Sequence, residues 1–355
     1  MKQQSIIFTN DTAGALNRAV EELKPSGLFV LTDENTARLV WPTVQAETSS
    51  LADAVLITIP AGDTHKNLDS AASIWNQLQH GGATRHSAMI CLGGGVITDI
   101  GGFAASTFKR GIRFINMPTT LLSAVDAAIG GKTGINFNDL KNEIGVFSPA
   151  DYVIISTRFF STLPDSELLS GYAEMLKHGL IDSESSFNAL IAQRPGNLNQ
   201  DSMLRLLQDS VEVKRRIVTE DPCENGIRRA LNLGHTAGHA LESLAMHRHN
   251  PIPHGYAVAW GCVIELILSH MQCEFPTTTL RDAANYIAQN YGVPDITCND
   301  YQALLDYMRH DKKNKSSEHI NFTLLSEVGK IHIDCTATDD EIKTAFDIFR
   351  DLMGI

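Results

Sequence analysis

The chain has no Cys-x-x-Cys pair, no basic tail and no low-complexity tract. Its six cysteines, Cys91, Cys223, Cys262, Cys273, Cys298 and Cys335, are scattered, so reduced thiols in a cytoplasmic protein are expected. The opening MKQQSIIFTND lacks a basic segment followed by a long apolar one, so no secretory leader is expected. The longest apolar stretch, Ala257 to Ser269, is too short for a bilayer span and carries Glu265; it reads as a buried helix, with no membrane partner. Positive charge is in deficit as well, with 29 Lys and Arg against 41 Asp and Glu, and a net charge of −12 repels a phosphate backbone. Nucleic acid is therefore not an expected partner.

What is present is ordinary for a globular chain: 43% apolar and 20% charged residues. At 355 residues the chain exceeds the roughly 250–300 residues at which one core stops growing, and two domains are expected. In the first half, short β-branched runs alternate with helical patterns, predicting an α/β, Rossmann-like doubly wound domain over 1–165. Its strands are expected at Leu28–Leu31, Ala54–Ile59, Ala88–Leu92, Phe114–Met117 and Tyr152–Ile155. An amphipathic helix is expected over Asn67–Gln79, where Leu68, Ala71, Ile74, Trp75 and Leu78 recur at helical spacing. From about Ser166 longer helical patterns predict a mainly α-helical domain over 166–355. Its segments are Ser166–His178, Met203–Thr219, Ala230–Ala245, Tyr256–His270, Leu280–Tyr291, Tyr301–Arg309 and Asp339–Leu352. A small hairpin is expected where Ile320–Leu325 and Lys330–Ile333 flank Glu327-Val328-Gly329.

Three patterns carry chemistry. In SAMICLGGGVITDIGGF a hydrophobic run ends in Gly93-Gly94-Gly95 and passes into a helix, a turn that lets backbone N–H groups and a helix N-terminus approach a pyrophosphate. Thr98 stands where the third glycine of GxGxxG belongs, so the usual fingerprint is not met. Asp33 and Asn35 follow the first expected strand, and Asp63 to Lys66 the second, where strand ends of such sheets meet nucleotides. Second, Lys132, Lys141, Lys177, Lys214 and Arg228 lie in Gly-rich or apolar context within an acidic chain; cations there need anions, and the set favours a polyanionic small molecule. Third, His235 and His239 are four apart and share a helix face, with Glu174 on another helix and His254 ahead of a third. Two imidazoles and a carboxylate would make a zinc site with an open position, although spacing alone leaves open which two histidines bind. HTAGH lacks the glutamate of HExxH, which removes the metalloprotease reading.

Taken in order, PAGDTHK, GGGVITDIGGF, FKRGI, MPTTLLSAVDAAIGGKTGIN, LKNEIGVF, TLPDSELLSGYAEMLKHG, EDPCENGIRRALNLGHTAGHALE, PHGYAVAWG and DKKNK make the chain resemble the 3-dehydroquinate synthases, sugar-phosphate cyclases of the shikimate pathway. The resemblance implies a Rossmann-like domain followed by a helical one. It implies conversion of 3-deoxy-D-arabino-heptulosonate 7-phosphate to 3-dehydroquinate and phosphate, with transient use of NAD and a divalent metal, Zn2+ or Co2+. The metal ligands implied are Glu174, His235 and His254. NAD contacts implied are Asp33, Asn35, Asp63, Lys66, Gly93, Gly94, Gly95, Asp99, Thr119, Thr120 and Thr162, with Asp126, Lys141 and Asn142 serving cofactor and substrate alike. Substrate would further meet Lys132, Lys177, Lys214, Arg228, Asn232 and His239, with Lys312 or Lys313 near the phosphate and Glu224 as proton acceptor. A homodimer is implied, Arg110 being lent across its interface. The chain departs from the family pattern at Tyr256, where a glutamate is usual, at Asp63, and at the alanines after Asp126. Its rivals are a metal-dependent polyol or glycerol dehydrogenase, another sugar-phosphate cyclase, and a non-catalytic nucleotide-binding protein. The phosphate-type cations argue against the dehydrogenase, Asn232 and His239 favour dehydroquinate formation, and the metal set argues against a non-catalytic role.

Overall fold

The computed structural model describes residues 4–138, 140–310 and 320–355. They fall into two compact units: the chain up to Pro164 together with Asn199–Val211, and Asp165–Leu198 together with Glu212–Ile355. The residue pair Lys312-Lys313 lies outside the described residues.

The first unit contains β1 (Ser5–Phe8), α1 (Thr12–Leu23), β2 (Leu28–Asp33), α2 (Glu34–Leu39), α3 (Trp41–Glu47), β3 (Val55–Ile59), α4 (Leu68–His80), β4 (Ala88–Gly93), α5 (Gly95–Thr107), β5 (Arg113–Pro118), β6 (Lys132–Phe137), β7 (Leu140–Phe147) and β8 (Tyr152–Ile155). Six strands form one sheet in the order β1-β8-β5-β4-β2-β3, and every pairing is parallel. The direction of travel reverses between β2 and β4, the crevice where sheets of this kind hold ligands at the carboxyl ends of their strands. Gly93 ends β4 and Asp33 ends β2, so both stand at that edge. Every residue of β4 is buried, as a central parallel strand covered on both faces requires. The five expected strands are present, and the mixed α/β fold with a parallel sheet is as read.

Two features were not expected. β1 adds a short outer strand, and β6 and β7 form a separate antiparallel hairpin. Every described position of β7 is exposed, so the hairpin carries no apolar alternation to reveal it.

The second unit holds α6 (Asp165–Asp182), α7 (Glu184–Ile191), the end of α8 (Gln200–Glu220), α9 (His235–His247), α10 (His254–Cys273), α11 (Thr277–Tyr291), α12 (Tyr301–Arg309), the antiparallel strands β9 (Ile320–Glu327) and β10 (Lys330–Ala337), and α13 (Asp339–Met353). A Thr338–Glu341 capping box opens α13. By length and composition alone the 20 residues of α10 would pass for a membrane span; instead the helix is buried against α6, α9, α11, α13 and β9 as the core of the unit. The expected helix Ala230–Ala245 starts late, at His235, because Gly234 takes φ 77° and Ile227–Asn232 forms a 3-10 segment. Only glycine adopts that conformation without strain.

Glycines also set how closely the helices approach. A Cβ on Gly261 of α10 would fall 2.0 Å from the carbonyl oxygen of Gly234, one on Gly238 would fall 2.8 Å from that of Ala257, and one on Gly255 would fall 1.9 Å from that of Ser170 on α6. The first residues of α9 and α10 and the middle of α6 are thereby drawn together. Gly261→Ala is expected to lower unfolding free energy by about 1–3 kcal/mol, because the blocking atom is backbone and cannot swing aside. Urea denaturation checks this, and a wild-type midpoint would contradict it.

Candidate active site

In the first unit the glycine turn is built as the sequence suggests. Gly94 caps α5 without a side-chain hydrogen bond, leaving the first N–H groups of the helix available to an anion. A Cβ on Gly93 would lie 2.6 Å from the Ile97 side chain. Thr98, in place of the third glycine, turns its hydroxyl back onto its own helix, donating to the carbonyl of Gly95 at 3.2 Å, and so leaves the turn open. Asp33 caps α2, its Oδ1 accepting from the Thr36 amide at 2.7 Å.

Beside the turn lies a polar network. The Lys66 ammonium, only 5% exposed, pairs with Asp99 at 2.5 Å and donates to the Asn142 side-chain oxygen. Asn136 ties the network to β6 and β7: its amide N–H donates to the Lys66 carbonyl at 2.7 Å, its Nδ2 donates to Asp63 at 3.2 Å, and its Oδ1 accepts from the Asn142 amide at 2.9 Å. Four expected residues, Asp63, Lys66, Asp99 and Asn142, are thus joined through one that was missed, although Asn136 stands in plain view in GKTGIN. Lys132 and Lys141 are exposed on the same hairpin. The Thr119 amide donates to the Gly93 carbonyl at 2.9 Å. Thr120 Oγ1 accepts from the Ser123 amide, which opens the turn carrying Asp126. Asn35 lies on α2, Arg110 in the exposed turn after α5, and Thr162 in the turn Thr157–Thr162.

In the second unit Glu174 of α6 has a fully buried side chain. Lys177, one turn on, is paired with it. Its Oε1 lies 3.5 Å from His235 Nε2 and 3.6 Å from His254 Nε2. His239 completes the group, since His235, His239 and His254 each offer a ring nitrogen within 4.8 Å of the others. Burial pushes the Glu174 carboxyl upward, but the Lys177 ammonium and then the two imidazoles outweigh it and hold the group well below the usual carboxylate range. For His254 burial works downward, and the Glu174 and Glu242 carboxylates override it, raising the imidazole to about 9.

Ring nitrogens facing away from Glu174 separate the histidines. His235 Nδ1 lies 3.1 Å from the Leu233 carbonyl, and His254 Nδ1 lies 3.1 Å from Glu242 Oε2. A proton on each Nδ1 turns both Nε2 atoms toward the point Glu174 also faces, where a cation would replace the Nε2 proton, the outer-shell arrangement of histidine metal ligands. Glu242 was missed by sequence reasoning; its signal is its place three residues after His239, on the same helical face. The donor set of one buried carboxylate and two oriented imidazoles fits a divalent cation of the zinc class.

A second cluster follows α8. The Asp221 carboxylate accepts from the amides of Asn225, Gly226 and Arg228 at 2.9, 2.7 and 3.2 Å, closing a loop in which Glu224 takes φ 62°. Arg228 is 2% exposed and donates to the Pro222 carbonyl at 2.6 Å, while Asn232 donates to Glu224 at 3.4 Å. Hairpin β9–β10 braces this segment through Arg229–Asp334 at 2.6 Å and Thr323 Oγ1 to the Arg229 carbonyl at 2.9 Å. Lys214 on α8 is buried as well.

Family models for the 3-dehydroquinate synthase N-terminal and C-terminal regions match residues 56–170 and 171–314. The 3-dehydroquinate synthase of Parabacteroides distasonis is 46% identical over 355 residues, covering 100% of both chains. The chain belongs to the 3-dehydroquinate synthase family. As a member of it the protein is an enzyme of the shikimate pathway, and the polyol dehydrogenase alternative is not favoured. Among solved structures, 2-deoxy-scyllo-inosose synthase complexed with carbaglucose-6-phosphate, NAD+ and Co2+ superposes with TM-score 0.85 at 22% identity, covering 98% of this chain and 96% of that one. The 2-epi-5-epi-valiolone synthase ValA of Streptomyces hygroscopicus subsp. jinggangensis, with NAD+ and Zn2+ bound, gives 0.83 at 24% identity, covering 99% and 98%. Both share the fold of this family member.

Glu242→Gln keeps the size of the group behind His254 and removes its charge. Zinc affinity is expected to fall about 10–100-fold, read by competition with a chelator. An unchanged affinity would contradict the outer-shell role.

Proposed function

We propose that this chain converts 3-deoxy-D-arabino-heptulosonate 7-phosphate to 3-dehydroquinate and phosphate. The observation that carries the reading is identity of 46% along the whole of both chains with a 3-dehydroquinate synthase. The cluster of Glu174, His235 and His254 supports it. NAD would take up and return one hydride, and a divalent cation, Zn2+ or Co2+, would polarise the reacting C–O group.

Nucleotide work is assigned to residues 1–165 and metal work to 166–355, with residues of both ranges assigned to the substrate. Gly93, Gly94 and Gly95 with the open start of α5 hold the pyrophosphate; Asp33, Asn35, Asp63, Lys66, Asp99, Thr119, Thr120 and Thr162 hold the rest of the dinucleotide. Glu174, His235 and His254 hold the cation. A phosphorylated sugar acid brings a carboxylate and a phosphate, and the cations read from the sequence answer that charge. Lys132, Asn142 and His239 are assigned to the phosphate, and Lys177, Lys214, Arg228, Asn232, Asp126 and Lys141 to the carboxylate, the hydroxyls and their orientation. Once the ring carbon is a ketone, the neighbouring C–H is acidic, and the departing phosphate takes that proton. Donors fixed on phosphate oxygens lower the cost of that charge, so no strong protein base is needed for the step. Glu224 is assigned to proton acceptance later in the cycle. Ring opening and aldol closure then depend on holding one conformer. The enzyme is assigned to the cytoplasm as a homodimer, with Arg110 of each copy serving the other.

His235→Ala is expected to abolish phosphate release from the heptulosonate phosphate while NAD affinity stays within about twofold. Wild-type turnover would overturn the metal assignment. Lys132→Ala is expected to raise the substrate KM at least tenfold with NAD affinity unchanged, and equal losses for both ligands would remove its phosphate role.

A further inference from the structure

Glu265 has no part in the assignments above. It lies three turns along α10 from His254, is fully buried, and is the charged residue of the apolar stretch Ala257 to Ser269. Its Oε2 accepts from the Gly234 amide at 2.7 Å, and its Oε1 accepts from the amides of Thr236 and Ala237 at 3.0 and 3.2 Å. These residues open α9, whose cap position, Gly234, has no side chain to satisfy the first N–H groups. A carboxylate from the neighbouring helix does so instead, in the place where the helix dipole favours negative charge.

His235 sits between the clamped residues. Its Nδ1 faces the Leu233 carbonyl at 3.1 Å, so its ring direction follows the same short piece of backbone. The turn of α10 that carries Glu265 is itself tied down, the Ser269 hydroxyl donating to the Glu265 carbonyl at 2.7 Å and accepting from the Leu325 amide of β9 at 3.0 Å. One helix therefore governs two members of the metal cluster: α10 carries His254 as its first residue and holds the backbone on both sides of His235 through Glu265.

We propose that Glu265 is a positioning residue for the metal ligand His235, fixing the direction of its Nε2 from the adjacent helix. The inference rests on the metal assignment made under the proposed function. A cap that served stability alone would leave metal affinity and metal geometry untouched in the folded protein.

The test uses the full chain. Glu265→Gln keeps the length of the side chain but turns one acceptor into an N–H donor facing N–H groups; Glu265→Asp keeps the charge and withdraws it by one methylene. Zinc affinity is read by chelator competition, ligand geometry by the visible spectrum of the Co2+-loaded protein, and NAD affinity by titration. For Glu265→Gln the expected result is zinc affinity reduced about 10–100-fold, the size seen for outer-shell partners, with a shifted Co2+ spectrum, lower kcat at near-constant KM, and NAD affinity within twofold. Glu265→Asp is expected to fall between wild type and Glu265→Gln, and it decides alone if the latter does not fold. A lowered Tm with wild-type zinc affinity and Co2+ spectrum would overturn the proposal. His235→Ala is measured in parallel: if it keeps wild-type zinc affinity the metal assignment fails, and if it loses zinc while the Glu265 variants do not, only the positioning role fails.

Discussion

A buried carboxylate costs several kcal/mol unless opposite charge is supplied close by, and Glu174 imposes that condition on the second unit. That charge comes from Lys177 on one side and the imidazoles of His235 and His254 on the other. The same condition makes the place suitable for a divalent cation. A site that already draws cationic groups around an anion, with two ring nitrogens turned inward, needs little rearrangement when a metal takes over from their protons. Lys177 is then both counter-charge and, under the proposed function, substrate contact.

Bringing three helices to one carboxylate requires their backbones to approach more closely than side chains allow. Gly234, Gly238, Gly255 and Gly261 provide that approach, each at a point where a Cβ would overlap backbone of the opposing segment. Polar links then fix what packing brings near: Ser170 Oγ receives the Gly255 amide at 3.0 Å, Glu242 faces His254, and Glu265 seats the start of α9. The chemistry proposed for the enzyme relies on orientation and charge placement more than on strong acids and bases, and such chemistry tolerates little play in its ligands. Rigid, glycine-packed helices meet that requirement better than loops would.

Much of this was legible in the sequence because the physics is local. Alternating and continuous apolar runs marked β2, β3, β4, β5 and β8, and helical periodicity marked α4, α6 and most later helices. The glycine turn after β4 announced itself by composition. Hairpin β6–β7 did not, since β7 is exposed throughout and β6 buries three successive residues without alternation, and its sequence read instead as a run of chemically interesting lysines. The start of α9 was misplaced for a different reason: Ala230 to Leu233 continue the helical pattern in sequence, whereas the backbone is 3-10 up to Asn232, extended at Leu233 and left-handed at Gly234. The metal-type residues Glu174, His235 and His254 could be named, whereas spacing could not rank His239 against them; the partners of the Nδ1 atoms, Leu233 and Glu242, are facts of tertiary packing. Asn136 and Asp221 were passed over because hydrogen-bonded linkers look like ordinary loop residues until their partners are known. Glu265 was seen only as a charge that argued against a membrane span.

Phosphate elimination from a sugar acid, with a divalent cation held by Glu174, His235 and His254, is the chemistry proposed for this family member. It is tested most directly by incubating the purified protein with 3-deoxy-D-arabino-heptulosonate 7-phosphate and a catalytic amount of NAD, before and after chelation, and following phosphate together with the mass of the product. Equal amounts of phosphate and 3-dehydroquinate are expected, with loss of both on chelation and recovery on adding zinc. No phosphate release, with steady NADH formation from glycerol or another simple polyol, would contradict it.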